Sequence, residues 1–194
     1  MALILASAST IRAQMLDAAG VPFEIQPADV DEPAIKAAHH GSAADLAAAL
    51  AAAKANAVSA RHPADWVIGS DSLVAVGGRS FDKPRNRMEA AEHLRSFSGQ
   101  PMTLTSAVAL ARGGQVEWNH AECATLHVRK LSDTFIESYL DAEWPAVGYC
   151  VGVFRMEGRG VQLFDRVDGD HFTILGMPLL PLLGALRSRG LIAT

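Results

Sequence analysis

The sequence predicts one mixed α/β domain, and three observations predict it. Short apolar runs at residues 3–6 and 66–76 have the length of buried strands, helical stretches with capping residues stand between such runs, and residues 103–111 and 116–128 form two extended segments joined across Gly113 and Gly114. Strand and helix signals alternate and then give way to a hairpin, the order of a single mixed sheet flanked by helices. No repeat, linker or low-complexity tract other than an alanine-rich helix interrupts residues 1–194, which are read as one domain.

Each element has its own signal. The first strand leads to Ser9 or Thr10 as a helix N-cap, and the helix runs to about Ala19 before Gly20 ends it. Residues 23–25 resume an extended pattern, and PADVDEP reads as an acidic loop closed by Pro33. Ser42 and Asp45 have capping-box spacing, and the alanine-rich run to Arg61 has high helix propensity. Leu46, Leu50, Lys54, Ala57 and Val58 share one face of that helix, which sets Lys54 at the edge of its apolar stripe. Gly77 and Gly78 end the 66–76 strand, RSFDKPRN reads as a basic loop, and a helix spans 87–97. After the hairpin comes a helix over 132–143, capped by Ser132. Residues 149–154 and 161–167 read as short strands around the turn MEGRG, and Pro178 opens a last apolar helix as its N1 residue.

Composition narrows the function classes. Hydrophobic residues make up 49% and charged residues 20% of the chain, a globular balance without long disordered segments. The 17 Lys plus Arg stand against 21 Asp plus Glu, and a net charge of −4 with no local basic patch repels a nucleic-acid polymer. No basic n-region opens the chain and no run reaches the roughly 18 apolar residues of a membrane span, so a cytoplasmic protein without a membrane partner is expected. Cys123 and Cys150 show no CxxC spacing and are expected as buried thiols in a reducing compartment.

Five places carry chemistry. Asp71 lies inside an apolar strand pattern, where an unpaired carboxylate costs several kcal/mol. It reads either as a cap at a strand break beside Ser70 and Ser72, or as a general base or metal ligand. A free aspartate, pKa about 3.9, is a poor base at neutral pH, and a divalent cation solves that problem by acidifying the water. Arg12 stands where a helix begins, where the dipole prefers anions; a cation there makes sense beside a bound anion, and Ser7, Ser9 and the small residues around them give phosphate oxygens room at the amides. Lys54 reads either as a lysine laying its stem along a helix or as a phosphate-binding cation. Lys83, with Arg79, Arg85 and Arg87, reads either as part of a solvated basic turn or as a further phosphate cation. Asp29, Asp31 and Glu32 read either as a solvated loop or as hard oxygen ligands for magnesium or manganese. The seven histidines show no zinc spacing, and neither GxxxxGK[ST] nor GxGxxG occurs. Cations, carboxylates and a water activator together are what phosphoanhydride hydrolysis needs.

LILASAS with Arg12, DVDE at 29–32, AAAKA around Lys54, IGSDS at 68–72 followed by Lys83-Pro84, and MEGRG to GMPL come in an order and spacing that resembles the Maf family of nucleoside triphosphate pyrophosphatases over nearly the whole chain. The resemblance implies an α/β fold of the inosine triphosphatase type, with a curved mixed sheet, a cleft between two lobes and a homodimer. It implies cleavage between the α and β phosphates with a divalent cation, Mg or Mn, releasing a nucleoside monophosphate and pyrophosphate in house-cleaning of modified nucleotides. Asp71 then matches the proton acceptor and, with Glu32, the metal site, while Ser7, Ser9, Arg12, Lys54 and Lys83 line the phosphates. The family's serine-proline-arginine-arginine run is here Ser9, Thr10, Ile11, Arg12, so one arginine is lost. At the specificity positions this chain has Ile11, Ser72 and Glu157, where the branch acting on dTTP and UTP carries arginine, threonine and glutamine. Glu157 resembles the 7-methyl-GTP branch, and a carboxylate accepts from both N1–H and the exocyclic amine of guanine. That branch tends to carry an aromatic side chain where Ile11 stands. The rival readings are a dTTP/UTP pyrophosphatase and a nucleotide-binding regulator of cell division without significant turnover.

Overall fold

A computed structural model describes residues 2–193 and gives a mixed seven-stranded sheet. Its strands are β1 (Leu3–Leu5), β2 (Glu24–Ile25), β3 (Trp66–Val76), β4 (Arg79–Phe81), β5 (Pro101–Arg112), β6 (Gln115–Val128) and β7 (Phe164–Asp168). They lie in the order β2-β1-β3-β5-β6-β7, with β4 against β3. β1 is parallel to both its neighbours, Leu5 pairing with Ile25 and Ile68, whereas β3–β4 and β6–β7 are antiparallel. The helices are α1 (Thr10–Ala18), α2 (Glu32–Ala38), α3 (Ala43–Ser59), α4 (Arg87–Phe97), α5 (Asp133–Glu143), α6 (His171–Ile174) and α7 (Leu179–Ser188).

The chain divides into two compact units, and β3, β5 and β6 each contribute to both. The first holds the residues up to Ser72, Thr105–Glu122 and those from Asp170 onward. Leu5, Leu16, Ile68, Val108, Leu110 and Leu182 build its core, all fully buried. The Ser42 side chain accepts from Asp45 N while Asp45 accepts from Ser42 N, so the predicted capping box starts α3. Alanine at 47, 51 and 55 gives α3 a flat buried face. That face meets Gly69 of β3 so closely that an added Cβ would stand 2.1 Å from the Ala51 carbonyl oxygen and 2.6 Å from the Ala55 nitrogen. A bare backbone at 69 is therefore what allows α3 to lie on the strand.

The second unit holds Leu73–Leu104 and Cys123–Gly169. Its core gathers Leu94, Phe97, Met102, Leu126, Ile136 and Leu140. α4 and α5 are tied at the surface by Arg87 to Glu137 (2.7 Å) and Asp141 (2.6 Å), and by Arg95 to Asp133 (2.7 Å).

Several sequence expectations are corrected. Residues 29–33 do not form a loop throughout: Asp31 accepts from Ala34 N (3.0 Å) and starts α2, with Pro33 in the first turn, where its missing N–H costs nothing. Part of the basic loop pairs as β4, because Gly77 and Gly78 both take positive φ and turn the chain back on β3. Residues 149–154 and 161–163 are not strands. A 3-10 turn covers Ala146–Tyr149 and another Arg159–Leu163, leaving β7 alone as a strand there; Gly148 packs on the Trp144 ring, Gly152 on Phe154, and Gly158 and Gly160 on Arg155, close approaches that an extended strand would not make. Pro178 is the N-cap of α7 instead of its first residue. Cys123 is exposed and Cys150 half-buried, so the expectation of two buried thiols fails.

Candidate active site

In the first unit, β1 runs into Ala6, whose N–H donates to the Ile68 carbonyl (2.8 Å), and the chain then turns into α1. Ser7 is buried, and its Oγ accepts from Ser9 N (3.2 Å). Ser9 occupies the N-cap position without a side-chain cap bond, and no acid stands in the first turn. Arg12 stands there instead.

The Arg12 guanidinium is spent on the protein itself. Nε donates to the Gly176 carbonyl (2.9 Å), Nη1 to the Ser70 carbonyl (2.9 Å) and to Ser7 Oγ (3.3 Å), and Nη2 to Ser72 Oγ (3.0 Å). Burial lowers its pKa, while the charges of Asp71 and then Glu32 pull it back up. An arginine remains charged under any such shift. Around it runs a ladder of hydroxyls: Ser70 Oγ donates to the Ala107 (2.8 Å) and Gly176 (3.1 Å) carbonyls, Ser72 Oγ meets Ser106 Oγ (2.9 Å), and Ser106 Oγ donates to the Thr173 carbonyl (2.8 Å). Gly176 has φ +106° and would place a Cβ 3.2 Å from Ser72 Oγ, so both its backbone and its neighbours require glycine.

Asp71 is paired within a continuous strand, which excludes the strand-break reading. Lys54 Nζ donates to Asp71 Oδ1 (2.5 Å) and stands 2.8 Å from Glu32 Oε1, so one ammonium bridges two carboxylates. Only 14% of the Lys54 side chain and 10% of the Asp71 side chain are exposed, so deleting either partner would strand a charge at a cost of about 3–5 kcal/mol. Placement follows from local structure: α2 presents Glu32 in its first turn, Ala51 and Ala55 on Gly69 fix the turn of α3 that carries Lys54, and β3 fixes Asp71.

The carboxylate pair also fits a divalent cation. Magnesium is commonly held by one or two carboxylates together with substrate phosphates instead of an all-protein cage. Among the described residues no group of three or more His, Cys, Asp or Glu side chains forms such a cage, and Glu32 and Asp71 have the required hard oxygen chemistry.

Ser7, Arg12, Glu32, Lys54, Asp71 and Ser72 are thus gathered in one network of hydrogen bonds, ion pairs and charge. Ser9 joins through Ser7. Ile11 does not join it: that side chain lines an apolar groove of about 420 Å³ with Met15, Phe172, Leu175, Leu179 and Leu183. Sequence reasoning missed the hydroxyl ladder. A signal was there for Ser106, a polar residue inside the apolar β5 pattern, the same kind of anomaly that marked Asp71.

In the second unit, Lys83 lies exposed between β4 and α4. Arg85 is neutralised by Glu89 (2.9 Å) and Arg87 by the α5 acids, whereas Lys83 makes no hydrogen bond or ion pair among the described residues. Its positive charge reaches Cys150, whose thiol burial, and after it Glu157, pushes up to about 11. Glu157 is exposed at the tip of the 155–160 turn.

The sequence profile of Maf-like protein matches residues 2–189. The chain belongs to the Maf-like protein family. Among relatives of this Maf-like chain, "7-methyl-GTP pyrophosphatase" of Rhizobium meliloti (strain 1021) is 47% identical over 193 residues, covering 98% of this chain and 97% of that protein. "Nucleoside triphosphate pyrophosphatase" of Granulibacter bethesdensis is 48% identical over 190 residues, covering 96% of each. A protein of the latter description from Nitrobacter winogradskyi is 45% identical over 192 residues, covering 98% of this chain and 95% of that one. Among solved structures, the Staphylococcus aureus Ham1 protein aligns at 15% identity and a TM-score of 0.44, covering 68% of this chain and 72% of that one.

Proposed function

We propose that this Maf-like chain is a nucleoside triphosphate pyrophosphatase, a hydrolase that cleaves between the α and β phosphates and depends on Mg or Mn. The carrying observation is the Lys54 ammonium bridging Glu32 and Asp71 beside the half-buried Arg12 guanidinium. Relatives described as nucleoside triphosphate pyrophosphatases over nearly the full length support it.

In the reaction a water oxygen bonds to the α phosphorus, the bond from that phosphorus to the bridging oxygen breaks, and its electron pair leaves with pyrophosphate. Lys54 holds Asp71 Oδ1, leaving Oδ2 to take the proton of the water. Arg12, Lys54 and Lys83 offset the charge that develops on the departing pyrophosphate. Ser7, Ser9 and the α1 amides receive phosphate oxygens. Glu32 and Asp71 would hold the divalent ion, which when bound would supply an acidified water and neutralise phosphate charge.

Glu157 is assigned to the base edge, and a guanine nucleotide, 7-methyl-GTP above all, is the favoured substrate. The relatives described as 7-methyl-GTP pyrophosphatases support this choice over dTTP or UTP. The same proposal makes the protein a cytoplasmic house-cleaning enzyme acting as a homodimer; among the described residues no helix is long and apolar enough to cross a membrane.

The test is pyrophosphate release from a panel of canonical and modified triphosphates with each metal. Turnover of 7-methyl-GTP is expected to exceed that of UTP, and Asp71→Asn should lose at least about a hundredfold in kcat while remaining folded. Tight nucleotide binding with no product from any base would refute the enzyme and favour a regulator.

A further inference from the structure

In the second unit, Glu143 is a buried carboxylate that none of the chemistry above uses. It is 7% exposed and is the last residue of α5. Both facts count against it, because burial penalises a carboxylate and the C-terminal end of a helix repels negative charge. Its compensation comes from the turn that carries Glu157. Arg155 Nε donates to Glu143 Oε2 (3.2 Å) and Arg159 N donates to Oε1 (3.4 Å).

The turn is shaped around this pair. A Cβ on Gly160 would stand 2.5 Å from the Arg155 carbonyl oxygen and 2.6 Å from its nitrogen. One on Gly158 would stand 3.1 Å from Arg155 Nη2 and 3.3 Å from Glu143 Oε2. Gly158 therefore packs closely on the ion pair itself, and Gly160 on the backbone of Arg155. The approach to the turn is strained: Val153 has φ +55°, which costs a β-branched residue about 1–3 kcal/mol, and its carbonyl is held by the Tyr139 hydroxyl (3.0 Å). No strand or α-helix covers residues 150–158; besides the local bonds from Val153 N to Cys150 O and from Gly158 N to Arg155 O (both 3.1 Å), the contacts to Glu143 and the Tyr139 bond tie the segment that carries Glu157 to α5.

We propose that Glu143 is a positioning residue for base selection: through Arg155 it holds the 155–160 turn so that the exposed Glu157 carboxylate presents a fixed edge to guanine. This rests on the reading of Glu157 as the base-contacting residue. The retained buried charge then has a purpose that an apolar side chain would not serve, since hydrophobic replacements of buried ion pairs are often neutral or stabilising.

The experiment is a cycle of four proteins, wild type, Glu143→Gln, Glu157→Gln and the double variant, with KM and kcat for 7-methyl-GTP, GTP and UTP. Glu143→Gln is expected to raise KM for the guanine substrates about tenfold, the scale of one misplaced charged hydrogen bond, with kcat and the UTP parameters within about threefold. Because Glu143 acts through Glu157, the double variant should match Glu157→Gln alone. Additive losses, or equal losses on UTP, would show a merely structural role and overturn the proposal. If Glu157→Gln shifts base preference and a folded Glu143→Gln does not, positioning is refuted while the function stands. If Glu157→Gln shifts nothing, the base reading and this proposal fall together. Should Glu143→Gln fail to fold, Arg155→Gln breaks the pair from its more exposed side and is held to the same outcomes.

Discussion

Gly69→Ala tests whether the approach of α3 to β3 is what assembles the carboxylate pair. The new methyl would stand 2.1 Å from the Ala51 oxygen, 2.6 Å from the Ala55 nitrogen and 2.9 Å from the Ala55 Cβ, whereas ordinary contacts begin near 3.4 Å. Two of the three obstacles are helix backbone, so no side-chain rotation relieves them, and α3 must retreat by about 1 Å. Overpacking of this kind costs typically 1–3 kcal/mol. At about 3 kcal/mol, and roughly 2–4 °C per kcal/mol for a chain of this size, Tm should fall by about 6–12 °C. Lys54 lies in the retreating turn, so its bonds to Asp71 and Glu32 open, and a displacement of that size lowers kcat by about a hundredfold. Thermal scanning gives the first quantity, and pyrophosphate release, assayed well below the variant's midpoint, the second. Gly184→Ala is the control: it sits in α7 with nothing within 4 Å of its added Cβ, and should gain about 0.5–1 kcal/mol without touching turnover. A Gly69→Ala protein with wild-type Tm and wild-type kcat would falsify the account of how the pair is positioned.

Arg12→Lys keeps the charge but gives up the fork that ties Gly176, Ser70, Ser7 and Ser72 together, and it should destabilise the protein by roughly 2–4 kcal/mol in urea unfolding. No change in the urea midpoint would mean that the fork is not holding these segments. The His93 imidazole, between Phe81 (5.1 Å) and Phe97 (5.9 Å), has its pKa lowered by burial, against the opposing pull of Glu89, Glu92 and Asp82 and with a further push from Arg79. Its neutral form is the one the fold prefers, so its contribution is fully present above the unfolded-state value near 6.5 and is lost as pH falls through the folded one. Tm measured at pH 8 and pH 5 should therefore drop more in wild type than in His93→Gln, and equal drops would refute the assignment.

What was legible in the sequence was what local chemistry decides. The capping box of α3 lies within four residues, and Asp71 announced itself because a carboxylate in an apolar run must have a partner. That partner, Lys54, was visible only as a polar residue on an apolar edge; pairing it with Asp71 requires knowing that Gly69 admits the helix. α2 is hidden in the sequence because Pro33 has the look of a terminator, whereas a proline after a capping Asp31 begins a helix equally well. The ladder of Ser72, Ser106, Thr173 and Gly176 joins segments 34 and 104 positions apart, and no periodicity records such a bond. The 155–160 turn is hidden for the same reason: Arg155 and the Arg159 amide meet Glu143, a tertiary pairing that no local pattern records.

Arg12 shows how these two levels meet. A cation at the start of a helix is locally unfavourable, yet the guanidinium already makes four hydrogen bonds of the five N–H groups an arginine can offer. At most one donor is left for a phosphate, so in the proposed reaction Arg12 would act on an anion through its field more than by direct grip. A field source fixed before substrate arrives needs no reorganisation during the reaction, which is the condition under which charge stabilises a transition state most strongly. On the proposed reading, direct grip would fall to groups less fully engaged: the α1 amides, the third donor of Lys54, and Lys83, which has no hydrogen bond or ion pair among the described residues. Arg12→Lys should accordingly cost more in stability and kcat than in KM, whereas Lys83→Met should raise KM and leave the unfolding midpoint unmoved. The reverse pattern would mean that the fork opens to take the phosphates itself.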